Sequence, residues 1–228
     1  MSNKKSIITG FLAAFFIFIT ASIWVFADNP IQKDEALELL REGNTRFIEM
    51  KLQHPNESIE RREKTAINGQ KPFAIVLACS DSRLPVETVF DRGIGDIFVI
   101  RVAGNIVMDS SVIGSIEYAA EHLHSSLLVI LGHTECGAVE AAISGAHSEG
   151  RIRDIQKKIE PIVRRTEKEC PKLRGSNLTN AVVRNNTLQA KADILSKSRM
   201  VKKLVDARKL RIATGVYAIK TGKVEWIH

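Results

Sequence analysis

Short runs of apolar residues alternate along this chain with longer stretches in which apolar residues recur every three or four positions. Residues 73–78 and 127–131 are two such runs, and a run that is apolar at every position is typical of a parallel strand buried on both faces. Residues 96–102 predict a further strand, and residues 211–219 and 224–227 predict a hairpin. The pattern predicts an α/β fold, with a mostly parallel central β-sheet flanked by helices and an antiparallel strand near the C-terminus.

Helical spacing covers most of the remaining chain. In the first helix, Gly43 and Asn44 mark a weak point. This helix has little of its own to pack on, which suggests a partner subunit; the alternative is that it lies on its own sheet. The predicted helices cover residues 34–50, 60–66, 85–90, 109–124, 138–143, 152–165, 180–195 and 198–207.

The N-terminus differs from the rest of the chain. Lys4 and Lys5 precede the mostly apolar residues 7–27, and Val25-Phe26-Ala27 loosely matches a signal-peptide cleavage site. The apolar stretch is also long enough to span a bilayer. We therefore expect residues 1–27 to be a signal peptide or a membrane anchor and residues 28–228 to be the catalytic domain. In both cases the protein is exported, periplasmic or secreted, and it is attached to a membrane only if the segment is retained.

Composition and charge narrow the class of protein. The 228 residues are 44% hydrophobic and 26% charged, which is typical of one globular domain. The net charge is +7, but the basic residues are dispersed and show no pattern of an RNA-binding module, so we expect no nucleic-acid partner. A basic surface of this kind favours small anions.

Chemically capable side chains follow two of the predicted strands. Cys79, Asp81 and Arg83 come directly after the first, and the second runs into His133 and Cys136. Sites in open α/β sheets form beyond the carboxyl ends of the strands, so neighbouring strands would bring Cys79, His133 and Cys136 together. Two thiolates and one imidazole suit zinc, and three protein ligands leave a position for water.

Two motifs carry a resemblance to a known family. Cys-Ser-Asp-Ser-Arg at residues 79–83, together with Gly-His-Thr-Glu-Cys-Gly-Ala at residues 132–138, resembles the zinc-site signature of the β-class carbonic anhydrases. The resemblance runs from about Asp34 to the C-terminus. It implies the β-carbonic anhydrase fold, one Zn²⁺ per chain, carbon dioxide and bicarbonate as substrates, and a homodimer or tetramer. The implied reaction is reversible hydration of carbon dioxide to bicarbonate and a proton by a zinc-bound hydroxide.

The same motifs suggest roles for individual residues. Asp81 is placed to orient the hydroxide, and Arg83 can hold Asp81 ionised through a bidentate pair. In some members of the family this aspartate swings onto the zinc and closes the site. The resemblance also implies that Gln70, Phe98, Ala103 and Tyr118 line the substrate cleft, although Tyr118 considered alone is predicted to be a core residue.

Several alternatives remain open at this stage. The same fold could hydrolyse carbon disulfide or carbonyl sulfide, or hold a structural zinc with Asp81 as a permanent fourth ligand. A redox or metal-handling module is a third alternative, although Cys79 and Cys136 are not a Cys-x-x-Cys pair. Val76 stands where family members that close with bicarbonate carry tryptophan, so we expect no such closure. Cys170 is interpreted as an incidental free thiol, and His147 as a surface residue or a proton carrier.

Overall fold

A computed structural model describes residues 31–146 and 148–227. The predicted export segment, residues 1–27, and His147 lie outside this range. No helix in the described range is long and apolar enough to cross a membrane. The elements are α1 (Lys33–Ile48), α2 (Ile59–Asn68), β1 (Ala74–Ala78), α3 (Val86–Val89), β2 (Ile97–Arg101), a 3₁₀ turn (Ala103–Asn105), α4 (Ser110–Glu121), β3 (Leu127–His133), α5 (Gly137–Ser144), α6 (Ile152–Glu169), α7 (Gly175–Lys197), α8 (Arg199–Asp206), β4 (Arg211–Tyr217) and β5 (Val224–Ile227).

The strands form one sheet in the order β2-β1-β3-β4-β5. The first four strands run parallel, and β5 pairs antiparallel to β4. This confirms the predicted fold class. Because β1 and β3 are parallel neighbours, with Ala78 opposite Leu131, the segments that follow them leave the same edge of the sheet side by side.

The two central strands are apolar at nearly every position because both faces of the sheet are covered. Every residue of β1 and β3 is buried. Successive side chains of a strand point to opposite faces. Val76 accordingly packs in a cluster with α1, α3, α5 and α6, while Leu77 packs in a second cluster with α4 and α8. Helix α7 contributes buried residues to both clusters, so it is fixed against the sheet along much of its length.

Helix α1 runs without interruption through the predicted weak point. Asn44 is buried, and its Nδ2 donates hydrogen bonds to the carbonyl oxygens of Val89 (3.2 Å) and Gly222 (2.8 Å). Its Oδ1 accepts a hydrogen bond from the N–H of Val224 at 2.9 Å. The expectation that this helix has little of its own chain to pack on is wrong, because it packs against α3 and the sheet through Ala36, Leu37 and Leu40.

Gly43 is required by the close approach of α1 to Phe90. A Cβ at this position would overlap the Phe90 carbonyl oxygen and lie 2.6 Å from the carbonyl carbon. Gly43→Ala is therefore expected to lower the free energy of unfolding by about 3 kcal/mol, because backbone cannot move aside cheaply. Urea unfolding would measure this. Gly114→Ala in α4 is the matched control, since its Cβ would meet nothing within 4 Å and alanine favours the helix by up to about 1 kcal/mol. Equal midpoints for the two variants would contradict the prediction.

Candidate metal centre

Three buried side chains meet at the carboxyl edge of the sheet. Cys79 directly follows β1, His133 is the last residue of β3, and Cys136 is the N-cap residue of α5. Their ligand atoms all lie within 4.8 Å of one another. Cys79 and His133 meet because Ala78, the last residue of β1, pairs with Leu131 of β3, two residues before His133. The short segment 134–136 then brings Cys136 to the other two side chains before α5 begins.

The imidazole of His133 is oriented as a ligand. Its Nδ1 lies 2.8 Å from the carbonyl oxygen of Thr134, which can only accept, so Nδ1 carries the proton and Nε2 has a free lone pair. Nε2 is buried and has no hydrogen-bond partner among the described residues. Leaving such a nitrogen unpaired is costly, and a cation between Nε2 and the two sulfurs would satisfy it. The donor set therefore fits a zinc ion.

The thiols of Cys79 and Cys136 influence each other's pKa even without a metal. The hydrogen bond from Cys136, assisted by the N–H of Gly104, lowers the pKa of Cys79 to about 4 against the opposing effect of burial. The hydrogen bond to Cys79, together with burial, raises the pKa of Cys136. The two thiols therefore titrate as a pair, and binding of a divalent cation would release protons from them because both sulfurs coordinate a metal as thiolates.

Asp81 lies beside the cluster and is held by Arg83. The Arg83 guanidinium donates to both carboxylate oxygens, at 2.9 and 2.8 Å, and the Arg83 backbone N–H donates to Oδ1 at 2.9 Å. The hydrogen bonds from Arg83 hold the pKa of Asp81 well below its usual range. Asp81 Oδ2 is 3.8 Å from His133 Nε2, so the carboxylate faces the metal position while remaining on the arginine.

Two groups beside the cluster were not singled out from the sequence. Arg101 ends β2, next to β1, and its guanidinium donates to the carbonyl oxygens of Cys79 (3.1 Å) and Asp81 (2.6 Å). The N–H of Gly104 donates to Cys79 Sγ at 3.2 Å. Both contacts depend on the pairing of β2 with β1. The signals in the sequence are a basic residue near the end of a predicted strand and the likeness of residues 101–105 to a family pattern, and neither assigned these contacts.

The four predicted cleft residues do not lie together within one protomer. Ala103 is in the 3₁₀ turn and precedes Gly104, so it is near Cys79. Gln70 precedes β1 and Phe98 pairs with Ile75, which places both toward the amino-terminal end of the sheet. Tyr118 contacts Phe98, with ring centroids 6.2 Å apart. It is 48% exposed, so the prediction that Tyr118 is a core residue is wrong.

Comparison with known proteins agrees with this geometry. The carbonic anhydrase family profile matches residues 74–224. Carbonic anhydrase 2 of Mycobacterium tuberculosis is 45% identical over 139 residues, and the carbonic anhydrase of Mycolicibacterium smegmatis is 42% identical over the same length. Each alignment covers 59% of this chain and 65% of the relative, so the chain spans slightly less than two thirds of these proteins.

A solved structure extends the similarity to the fold. The crystal structure of the β-carbonic anhydrase CafA of Aspergillus fumigatus superposes with a TM-score of 0.67 at 27% sequence identity. The superposition covers 74% of this chain and 82% of that one. The family match covers β1 to β4, ends at Val224, the first residue of β5, and includes both cysteines and the histidine of the cluster. The chain therefore belongs to the β-class carbonic anhydrase family.

Proposed function

We propose that the protein is a zinc-dependent carbonic anhydrase, which converts carbon dioxide and water into bicarbonate and a proton and catalyses the reverse reaction. The observation that carries this proposal is the cluster of Cys79, His133 and Cys136 with the Asp81–Arg83 pair facing it. The curated relatives that the chain resembles bear the same activity in their names. Three protein ligands are the number typical of catalytic zinc sites, whereas structural sites use four.

Cys79, His133 and Cys136 would hold one zinc ion per chain. Zinc supplies the means to activate water as a nucleophile at neutral pH. The protein shields the ligands from solvent, since Cys79, His133 and Cys136 are 5%, 0% and 2% exposed. Burial of this kind keeps competing water away from the sulfurs and strengthens the electrostatic interactions within the site.

Asp81 would direct the attack on carbon dioxide. As an ionised carboxylate it only accepts hydrogen bonds, so it holds the remaining hydrogen of the attacking oxygen and turns a lone pair towards the carbon. A C–O bond would form, the electron pair of one C=O π bond would move onto its oxygen to give the negatively charged oxygen of bicarbonate, and the proton released from water would pass to buffer. Arg83 keeps Asp81 in this state, and the Glu135 carbonyl oxygen fixes Arg83 by accepting a hydrogen bond of 3.0 Å.

The decisive experiment is stopped-flow hydration of carbon dioxide across pH 6.5 to 9, with the zinc content determined on the same sample. Rapid hydration with about one zinc per chain is the expected result. Stoichiometric zinc without hydration would overturn the proposal. Turnover of carbon disulfide or carbonyl sulfide by that sample would then identify a hydrolase, and no turnover of either would identify a structural zinc site.

We infer that the enzyme acts outside the cytoplasm, in the periplasm or as a secreted protein. Residues 7–27 contain no charged residue and follow two lysines, which supports an export signal or an anchor. Cell fractionation combined with the mass of the purified chain would test this. A full-length chain in the cytoplasmic fraction would contradict it, and a full-length chain in the membrane fraction would identify an anchor.

We also infer that the chain assembles as a homodimer or a tetramer. Helix α2 has no buried residue, and Ile59 and Ile67 on it are 60% and 82% exposed. Gln70 and Tyr118 are also exposed and are not part of the cluster of their own chain, which supports a role at a surface shared between subunits. Sedimentation of the active enzyme would test this, and a fully active monomer would refute it.

A further inference from the structure

Asn186, in the middle of α7, is linked to the metal cluster through a single residue. Its Nδ2 donates a hydrogen bond of 2.8 Å to the carbonyl oxygen of Gly104, and the N–H of Gly104 donates to Cys79 Sγ at 3.2 Å. Asn186 is 3% exposed and Gly104 is buried, so both hydrogen bonds are shielded from water. Hydrogen bonds of this type orient a metal ligand and tune its donor strength.

Gly104 needs an external support to hold this position. It lies in a 3₁₀ turn of only three residues, and its φ of +70° falls in the left-handed region. A Cβ would come within 3.1 Å of Ile159 Cδ1 and 3.3 Å of Ala138 Cβ, so the site favours glycine on both conformational and steric grounds. Glycine also has the greatest freedom of rotation about its backbone dihedral angles. The hydrogen bond from Asn186 to the carbonyl oxygen of Gly104 restricts that freedom.

Helix α7 is a rigid support for that contact. Val182, Val183, Ala190 and Ile194 on it are buried. Asp193 forms an ion pair of 2.6 Å with Lys158 of α6, and Lys197 donates to the carbonyl oxygen of Val107 at 2.8 Å. Side chains on a helix anchored along its length hold a site more firmly than side chains on a loop.

We propose that Asn186 is a positioning residue for the metal thiolate. Through Gly104 it keeps an N–H hydrogen bond on the sulfur of Cys79, which withdraws electron density from that sulfur and makes the bound metal a stronger Lewis acid. This matters for a ligand set with two thiolates, because their charge weakens the acidity of the metal. The inference rests on the proposed zinc site, but its test does not depend on catalysis.

The test compares Asn186→Ala with Asn185→Ala in the full chain loaded with Co²⁺. Asn185 is the adjacent residue of α7 and donates to Thr166 Oγ1 of α6 at 2.8 Å, away from Cys79. Both variants lose one hydrogen bond to a buried acceptor, so both are expected to lower Tm. Only Asn186→Ala is expected to move the sulfur-to-cobalt charge-transfer absorption to longer wavelength and to weaken zinc affinity, in a chelator competition, by about tenfold or more.

An unchanged absorption band and zinc affinity in Asn186→Ala, with a loss of Tm like that of Asn185→Ala, would overturn the proposal and leave Asn186 a purely structural residue. If Asn186→Ala does not fold, Asn186→Ser provides the same test, because its hydroxyl is too short to reach Gly104. A wild-type protein that hydrates carbon dioxide, combined with an unchanged band in the variant, refutes the role of Asn186 alone. A wild-type protein that binds neither Co²⁺ nor Zn²⁺ refutes the metal site, and the proposed function with it.

Discussion

His133→Ala is expected to abolish both zinc binding and carbon dioxide hydration, with a loss of kcat/KM of about a thousandfold or more. His133 is fully buried and provides the only imidazole in the cluster formed by the described residues. Without Nε2, two thiolates remain, and nothing else in the cluster holds the metal in a fixed position. The nucleophile that depends on the metal is lost with it.

Zinc content by atomic absorption and stopped-flow hydration would measure both losses, and thermal unfolding would show that the variant is folded. His122→Ala is the control, because this exposed histidine at the end of α4 contacts Tyr118 and not the cluster. It is expected to keep wild-type zinc and activity. A His133→Ala protein with full zinc occupancy and normal hydration would show that the metal lies elsewhere.

Asp81→Asn is expected to lower kcat/KM by about a hundredfold while zinc binding is retained. The amide has the shape of the carboxylate, but its Nδ2 donates where Asp81 accepts, so it conflicts with a donor of Arg83 and with the hydrogen of the attacking water. The magnitude follows from the usual contribution of a positioned proton acceptor.

The matched control for this variant is Asp206→Asn, which breaks another aspartate ion pair, with Lys202 at 2.7 Å, on the exposed face of α8. Exposed ion pairs contribute little to the free energy of unfolding, so we expect neither the activity nor the stability of Asp206→Asn to change measurably. Steady-state hydration and zinc content should be measured for both variants. Loss of zinc from Asp81→Asn would make Asp81 a metal ligand in the resting enzyme, and unchanged hydration would remove it from the mechanism.

Hydrophobic patterning predicted the sheet well because the strands that matter most are buried on both faces. Residues 73–78 and 127–131 correspond closely to β1 and β3, and the two motifs follow these strands directly. Once parallel neighbours are assumed, the meeting of Cys79 with His133 and Cys136 follows from the geometry of any such sheet. Only the adjacency of β1 and β3 had to be supplied by the structure.

Hydrophobic patterning did not predict the contacts between residues that are far apart in the sequence. Gly43 and Asn44 resemble a helix break in the sequence. No nearby residue reveals that the backbone of Phe90 lies against Gly43, or that the N–H of Val224 donates a hydrogen bond to Asn44. Asn186 carries no local sign of its contact with Gly104, 82 residues earlier. Such contacts arise from the packing of complete elements, which periodicity within one segment does not encode.

The position of β4 has a consequence for how the enzyme is made. β4 covers the open side of β3, the Tyr217 carbonyl accepts from the N–H of Thr134 at 2.9 Å, and Thr134 Oγ1 accepts from the N–H of Ile219 at 3.1 Å. The ligand segment after His133 is therefore secured by residues that are synthesised long after it, since Ile219 follows Thr134 by 85 positions. Until then the nascent chain exposes an apolar strand edge, which is prone to pairing with other chains. Messages truncated before Arg211 should yield aggregated protein rather than a smaller working enzyme.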